Sequence, residues 1–309
     1  MNEISSDFFL IEAEKIGFDL YGITEAVIPP DDRKNIESWV DQKLFGVMNW
    51  YPDRQEIRLD FKNLGFTPKS ILVLGVLYNP FNYKSYMEKF NFKFSKYAIG
   101  EDYHKVLRRM GKKLIQIFQD KHPQAKFRQG VDSLPLPEKI LGRESGLGWI
   151  GKNTCLIHPQ KGSFFFLSVI LTDLEIHHTK EITPDRCGTC NECIDACPTG
   201  AIFEPYKINA GLCISHNTIE NKEPIKSSNY HWLYGCDICQ DVCPWNEKAI
   251  RKEMFTGKEE FSVSKIFEKS EEEILNLPEF EFNEWKKNTA LNRISYEKFQ
   301  DNVNNYRNE

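Results

Sequence analysis

The sequence predicts an α+β protein in three parts. A mixed helix-and-strand domain spans 1–178, a cysteine-rich domain spans 179–250, and a short helical segment spans 251–309. Three observations carry this expectation. Apolar runs at 71–78 and 163–176 have the length of buried strands. Val106, Leu107, Met110, Leu114, Ile117 and Phe118 recur at helical spacing within 102–121. Eight of the nine cysteines lie between Cys187 and Cys243. At roughly 150 residues per domain, the 309 residues suit at least two domains, and a 40% hydrophobic content suffices for packed cores.

Residues 5–16 read as a capped amphipathic helix, with Ser5 or Ser6 as cap and Gly17 as stop. The 71–78 strand follows Pro68. The 102–121 helix carries Lys105, Arg108, Arg109, Lys112 and Lys113 on its polar side. From Lys84 to Arg128 the local net charge is +8, in a chain whose total is −5. Such a basic island marks either a polyanion contact or a solvated helix face. No apolar run approaches the roughly 18 residues of a membrane helix. The N-terminus has neither a basic region nor an apolar signal core. A cytoplasmic protein without membrane contacts is therefore expected. The 251–309 segment is acidic, with a run at Glu271–Glu273.

Gly146-Leu-Gly148-Trp-Ile-Gly151 matches a dinucleotide fingerprint in letters only. No apolar strand precedes it, and His158-Pro159 follows where a helix should open. With Lys152 it approaches a phosphate loop, but Asn153 stands where a Ser or Thr would bind magnesium. The glycines are instead expected to let the backbone approach some other large, flat ligand.

The cysteines carry the chemistry. Cys187, Cys190, Cys193 and Cys197-Pro198 form C-x2-C-x2-C-x3-C-P, the spacing of bacterial ferredoxins. Three thiolates on one tight loop reach three corners of one iron–sulfur cube, and the fourth points to a second cube. Cys236, Cys239 and Cys243-Pro244 form a second cluster one ligand short, which Cys213 supplies. By the crossed rule, Cys187, Cys190, Cys193 and Cys243 hold one [4Fe-4S] cluster, and Cys197, Cys213, Cys236 and Cys239 hold the other. Zinc ribbons also use paired C-x2-C, but explain neither the third cysteine nor the doubled Cys-Pro. Cys155 reads as a small buried hydrophobe.

Three stretches together resemble one family. They are Gly142-Arg-Glu-Ser-Gly-Leu-Gly-Trp-Ile-Gly-Lys-Asn153, the strand ending Ile170-Leu-Thr-Asp-Leu-Glu175, and Cys213-Ile-Ser with Tyr234-Gly-Cys-Asp-Ile-Cys-Gln-Asp-Val-Cys-Pro-Trp-Asn246. They look like the epoxyqueuosine reductases, cobalamin-dependent iron–sulfur enzymes of tRNA modification. Tyr97–His104, Val131-Asp-Ser133 and Thr289–Arg293 add to the likeness, which covers roughly 50 to 295. The chain resembles the short form, without C-terminal helical repeats.

The resemblance implies an α/β-type cobalamin-binding domain ahead of a bacterial-ferredoxin-like two-cluster domain. It implies reduction of epoxyqueuosine at the wobble position of tRNA, with cobalamin fed by the clusters. Asp132 matches the family's proton donor; such an acid needs a raised pKa, which burial against the macrocycle would provide. Arg58, Lys96, Ile157, Ser168 and Ser215 are the cobalamin contacts by family position, with Tyr97 or His104 as further polar groups. The expected partners are tRNA carrying epoxyqueuosine in the anticodon and a low-potential electron donor, and the expected state is a monomer. Lys222 and Lys226, with the basic island, would touch the tRNA. The rivals are a corrinoid reductive dehalogenase-like enzyme and a two-cluster ferredoxin-type electron-transfer protein; the latter leaves the first 178 residues without a task.

Overall fold

The structure is a computed structural model, and it describes residues 4–178, 182–223 and 227–309. Lys226 lies outside the described residues. A four-stranded sheet organises the first half, in the order Leu20–Glu25, Ser70–Leu77, Phe165–Thr172, Phe127–Gly130. Every neighbouring pair is antiparallel. The expected α/β-type domain is thus corrected: the N-terminal half is itself α+β. Ser70–Leu77 and Phe127–Gly130 both run antiparallel to the strand between them, so they are parallel to each other, and the Tyr103–Lys121 helix lies in the crossover that joins them.

The two central strands read as continuous apolar runs because both sheet faces are covered. On one face, the Asp7–Ile16 and Tyr103–Lys121 helices pack Phe9, Ala13, Leu107, Leu114 and Phe118 against Leu72, Leu74 and Ile170. Gly17 ends the first helix in the left-handed conformation, φ 95°. Asp102 caps the second by accepting from the His104 amide at 3.0 Å. The other face buries Ile71, Val73, Val169 and Leu171 beneath Leu141 of the Glu138–Glu144 helix and Ile36 of the Pro30–Asp41 helix.

A second core crosses the sequence in three segments. Phe90, Phe92, Phe94 and Ile99 pack with Leu233 and Tyr234, and with Phe267, Phe282, Phe299 and Val303 of the C-terminal segment. Trp232–Tyr234 also pairs in parallel with Lys93–Phe94. The cysteine-rich region is thereby tied to the chain on both sides of it. Among the described residues no helix is long and apolar enough to cross a membrane.

Candidate redox site

The turn after the Phe127–Gly130 strand lifts Asp132 to the wall of a cavity of about 750 Å³. Asp132 has φ 50°, a left-handed conformation that Asp tolerates better than most residues. Its amide donates to Glu138 Oε1 at 2.9 Å, and its Oδ2 accepts from the Tyr103 hydroxyl at 3.0 Å. His104 Nε2 lies 3.7 Å from the same oxygen. His104 Nδ1 is 2.8 Å from Asp102, so one imidazole bridges two carboxylates. Tyr103 is stacked on Phe166 at 4.3 Å, which fixes its hydroxyl.

This arrangement shifts several neighbours, His104 and Glu138 among them. Burial alone would lower His104, but its hydrogen bonds to Asp102 and Asp132 outweigh that and raise it to about 9. Burial, reinforced by the Asp132 charge, pushes the Glu138 carboxyl up to about 8. Near neutral pH, His104 is therefore a cation and Glu138 keeps its proton. Neither Asp102 nor Glu138 stood out in the sequence. An Asp at the start of a helix is a local capping signal that could have found Asp102, whereas Glu138 has no local signal.

Cys213 and Ser215 line the same cavity as Asp132. Met48 and the half-exposed Trp50 form another wall, held by the Val47 amide donating to His216 Nε2 at 3.0 Å. Arg293, bridged to Glu220 at 2.7 Å, completes the rim. Apolar walls, polar groups at the edge and an open mouth suit a large flat cofactor.

The other nominated contacts do not line this cavity. Arg58 is buried, donating to the Tyr51 carbonyl at 2.7 Å, with its guanidinium 3.5 Å from the Tyr51 ring centroid. Lys96 is buried against the second cysteine loop, ion-paired to Asp241 and 3.6 Å from Asp237. Ile157 packs with Trp149 and Cys243. Ser168 is fully buried in the sheet, donating to the Gly130 carbonyl at 3.2 Å. Its hydroxyl serves the sheet, because its side of the strand faces the first core.

The thiols fall into two neighbourhoods. Burial and the adjacent Cys187, Cys243 and Cys190 raise Cys193 to about 11. Burial and the adjacent Cys213 and Cys197 raise Cys236, and Cys239 feels both Cys236 and Cys213. Among the described residues no three His, Cys, Asp or Glu side chains converge as one metal ion would require; a cube spaces its ligands more widely. Cys155 sits behind the second group, hydrogen-bonded to Cys239.

The glycine-rich turn is not a ligand cradle. A side chain at Gly148 would come within 2.0 Å of the Ile157 carbonyl oxygen, so this glycine serves the Trp149–Ile150 and Leu156–Ile157 hairpin. The close approach is backbone to backbone, which corrects the expectation of a flat ligand there.

Residues 186–246 match the family of 4Fe-4S double cluster binding domains, and residues 58–133 match the epoxyqueuosine reductase QueG family. The chain is accordingly an iron–sulfur redox protein of the two-cluster class. It is 36% identical over 304 residues to the epoxyqueuosine reductase of Cyclobacterium marinum, covering 96% of this chain and 95% of that one. To the Escherichia coli enzyme of that name it is 34% identical, over 94% of this chain and 77% of that one. It belongs to the epoxyqueuosine reductase family. A Bacillus subtilis epoxyqueuosine reductase, solved with a catalytic aspartate loop swung out of its active site, superposes with TM-score 0.84 at 25% identity, over 97% of this chain and 80% of that one. A family structure holding an epoxyqueuosine-modified tRNA stem loop shares the fold, with TM-score 0.81 at 24% identity over 97% and 80% of the two chains.

Proposed function

We propose that this protein reduces epoxyqueuosine to queuosine in the anticodon of tRNA. Cobalamin in the 750 Å³ cavity, two [4Fe-4S] clusters and a proton from Asp132 would serve the reaction. Cys187, Cys190, Cys193 and Cys243 hold the first cluster, and Cys197, Cys213, Cys236 and Cys239 hold the second. The observation that carries this reading is that Asp132 and Cys213 wall one cavity. A proton donor and a cluster ligand thus face the same space.

Ser215, Tyr97, Met48 and Trp50 would hold the cobalamin, which supplies low-valent cobalt chemistry when bound. The net reaction takes two electrons and two protons and converts the epoxide to a carbon–carbon double bond and water. The protein's part is the proton. An opening epoxide leaves an alkoxide, which departs only if protonated. Tyr103 orients Asp132 Oδ2, and the His104 cation beside it stands ready to restore the proton. The Tyr103–Lys121 helix starts at the cavity and runs about 28 Å away from it. Its exposed Arg108, Lys112 and Lys113 offer phosphate contacts to the tRNA. A low-potential donor reloads the clusters, and the protein acts as a monomer in the cytoplasm.

The test is Asp132→Asn, assayed with cobalamin, a low-potential reductant and epoxyqueuosine-containing tRNA, with the nucleoside read by mass. Turnover should fall at least about 100-fold, while the corrinoid absorption of the bound cofactor persists. Near-normal conversion by this variant would remove Asp132 from the mechanism.

A further inference from the structure

Lys152 and Asn153, at the end of the stretch that approaches a phosphate loop, join the two cysteine loops. Lys152 is buried, at 8% exposure. It donates to the Gly188 carbonyl at 2.8 Å, the Cys190 carbonyl at 2.8 Å and Asn191 Oδ1 at 3.0 Å. Three acceptors around one nitrogen call for three N–H donors, which only the charged ammonium has. All three acceptors lie on the loop of the first cluster. Its neighbour Asn153, 3% exposed, turns the other way. Its Nδ2 donates to the Cys239 carbonyl at 3.1 Å, on the second loop, and its Oδ1 accepts from the Cys155 amide at 3.1 Å.

The second loop has a different electrostatic surrounding. Asp237, between ligands Cys236 and Cys239, is fully buried. It accepts from the Lys96 amide at 2.7 Å and from the Ser95 hydroxyl. Lys96 is shared between Asp237 and Asp241. One cluster thus has a buried cation behind its loop, whose nearby carboxylate Asp185 is exposed to solvent, and the other has a buried carboxylate whose counter-ion serves two acids.

A cluster gains negative charge on reduction, so a nearby buried cation favours the reduced form and a buried anion opposes it. We propose that Lys152 makes the two clusters electrically inequivalent: it poises the cluster of Cys187, Cys190, Cys193 and Cys243 at the less negative potential. The first electron to arrive then rests on that cluster, and the second cluster, whose ligand Cys213 walls the cavity, is reduced last. Lys152 is a positioning residue. It touches neither substrate nor reacting atoms, and acts through the cluster loop. The inference rests on the two-cluster reading above.

The experiment is an EPR-monitored redox titration of the anaerobically reconstituted full chain, with iron counted in each sample. Wild type should show two separable couples. Lys152→Gln, which keeps donors but loses the charge, should shift the less negative couple downward and leave the other in place. Lys152→Arg, which keeps the charge, should leave both near their wild-type positions. Unmoved couples in a fully loaded Lys152→Gln protein would overturn the proposal. If Lys152→Gln loses iron, Lys152→Arg decides: full loading with unshifted couples supports the proposal, and a fully loaded protein with its less negative couple displaced downward overturns it. Absence of clusters from wild type would instead sink the functional reading, so the two failures are distinguishable without any turnover assay.

Discussion

Around Asp132, each group has its protonation set by its neighbours. His104 is held charged to about 9 and Glu138 is held protonated to about 8, while both contact the same aspartate. His104 has a folded-state pKa above its ordinary 6.5. Its contribution to stability is therefore complete below 6.5 and is lost as pH rises through about 9. The expected outcome is that His104→Asn destabilises the protein at mildly acidic pH and that the gap to wild type closes above that value, as read from urea midpoints. Glu138 is also raised, so its charged form weakens the folded state. Glu138→Gln should gain stability relative to wild type as pH rises from 4.5 through about 8. Asp132 was legible in the sequence because Val131-Asp-Ser133 is a local string. Its Tyr103, His104 and Glu138 partners were less so, because their meaning depends on a turn that brings 103, 132 and 138 together.

Elements with their own periodicity were legible to within a residue or two. The helix expected over 102–121 is Tyr103–Lys121, and the strand expected over 71–78 is Ser70–Leu77. Strand order was not legible, since the Phe165–Thr172 strand pairs with residues 88 to 102 positions earlier. The Leu20–Glu25 strand also carries little signal of its own. The long-range latches were invisible for the same reason. Asn246, fully buried, opens the last helix of the cysteine-rich region onto the sheet. It accepts from the Ser163 amide at 2.6 Å, and donates to the Ser163 hydroxyl at 2.9 Å and the Gln240 carbonyl at 2.7 Å. Asn246→Ala strands these groups in the interior. It should cost about 2–3 kcal/mol, measurable by urea unfolding of the loaded protein.

At the scale of the molecule, charge and topology divide the work. The acidic chain concentrates its positive charge on one stretch, whose longest helix begins at the cavity. If tRNA phosphates lie along that helix, binding should weaken steeply with salt. Reversing Arg108, Lys112 and Lys113 to Glu should lower the slope of log affinity against log salt by about one for each phosphate that is no longer neutralised. An unchanged slope would place the RNA elsewhere. The second core has a consequence for how the protein is made. Its first wall, Phe90–Ile99, leaves the ribosome well before its last, Phe299 and Val303. All eight cluster cysteines emerge in between, and Asn302 then closes the seam by donating to the Thr218 and Leu233 carbonyls at 2.9 Å each. The cysteine thiols are therefore made before the shell around them can be finished. That core cannot close until Phe299 and Val303 have joined it.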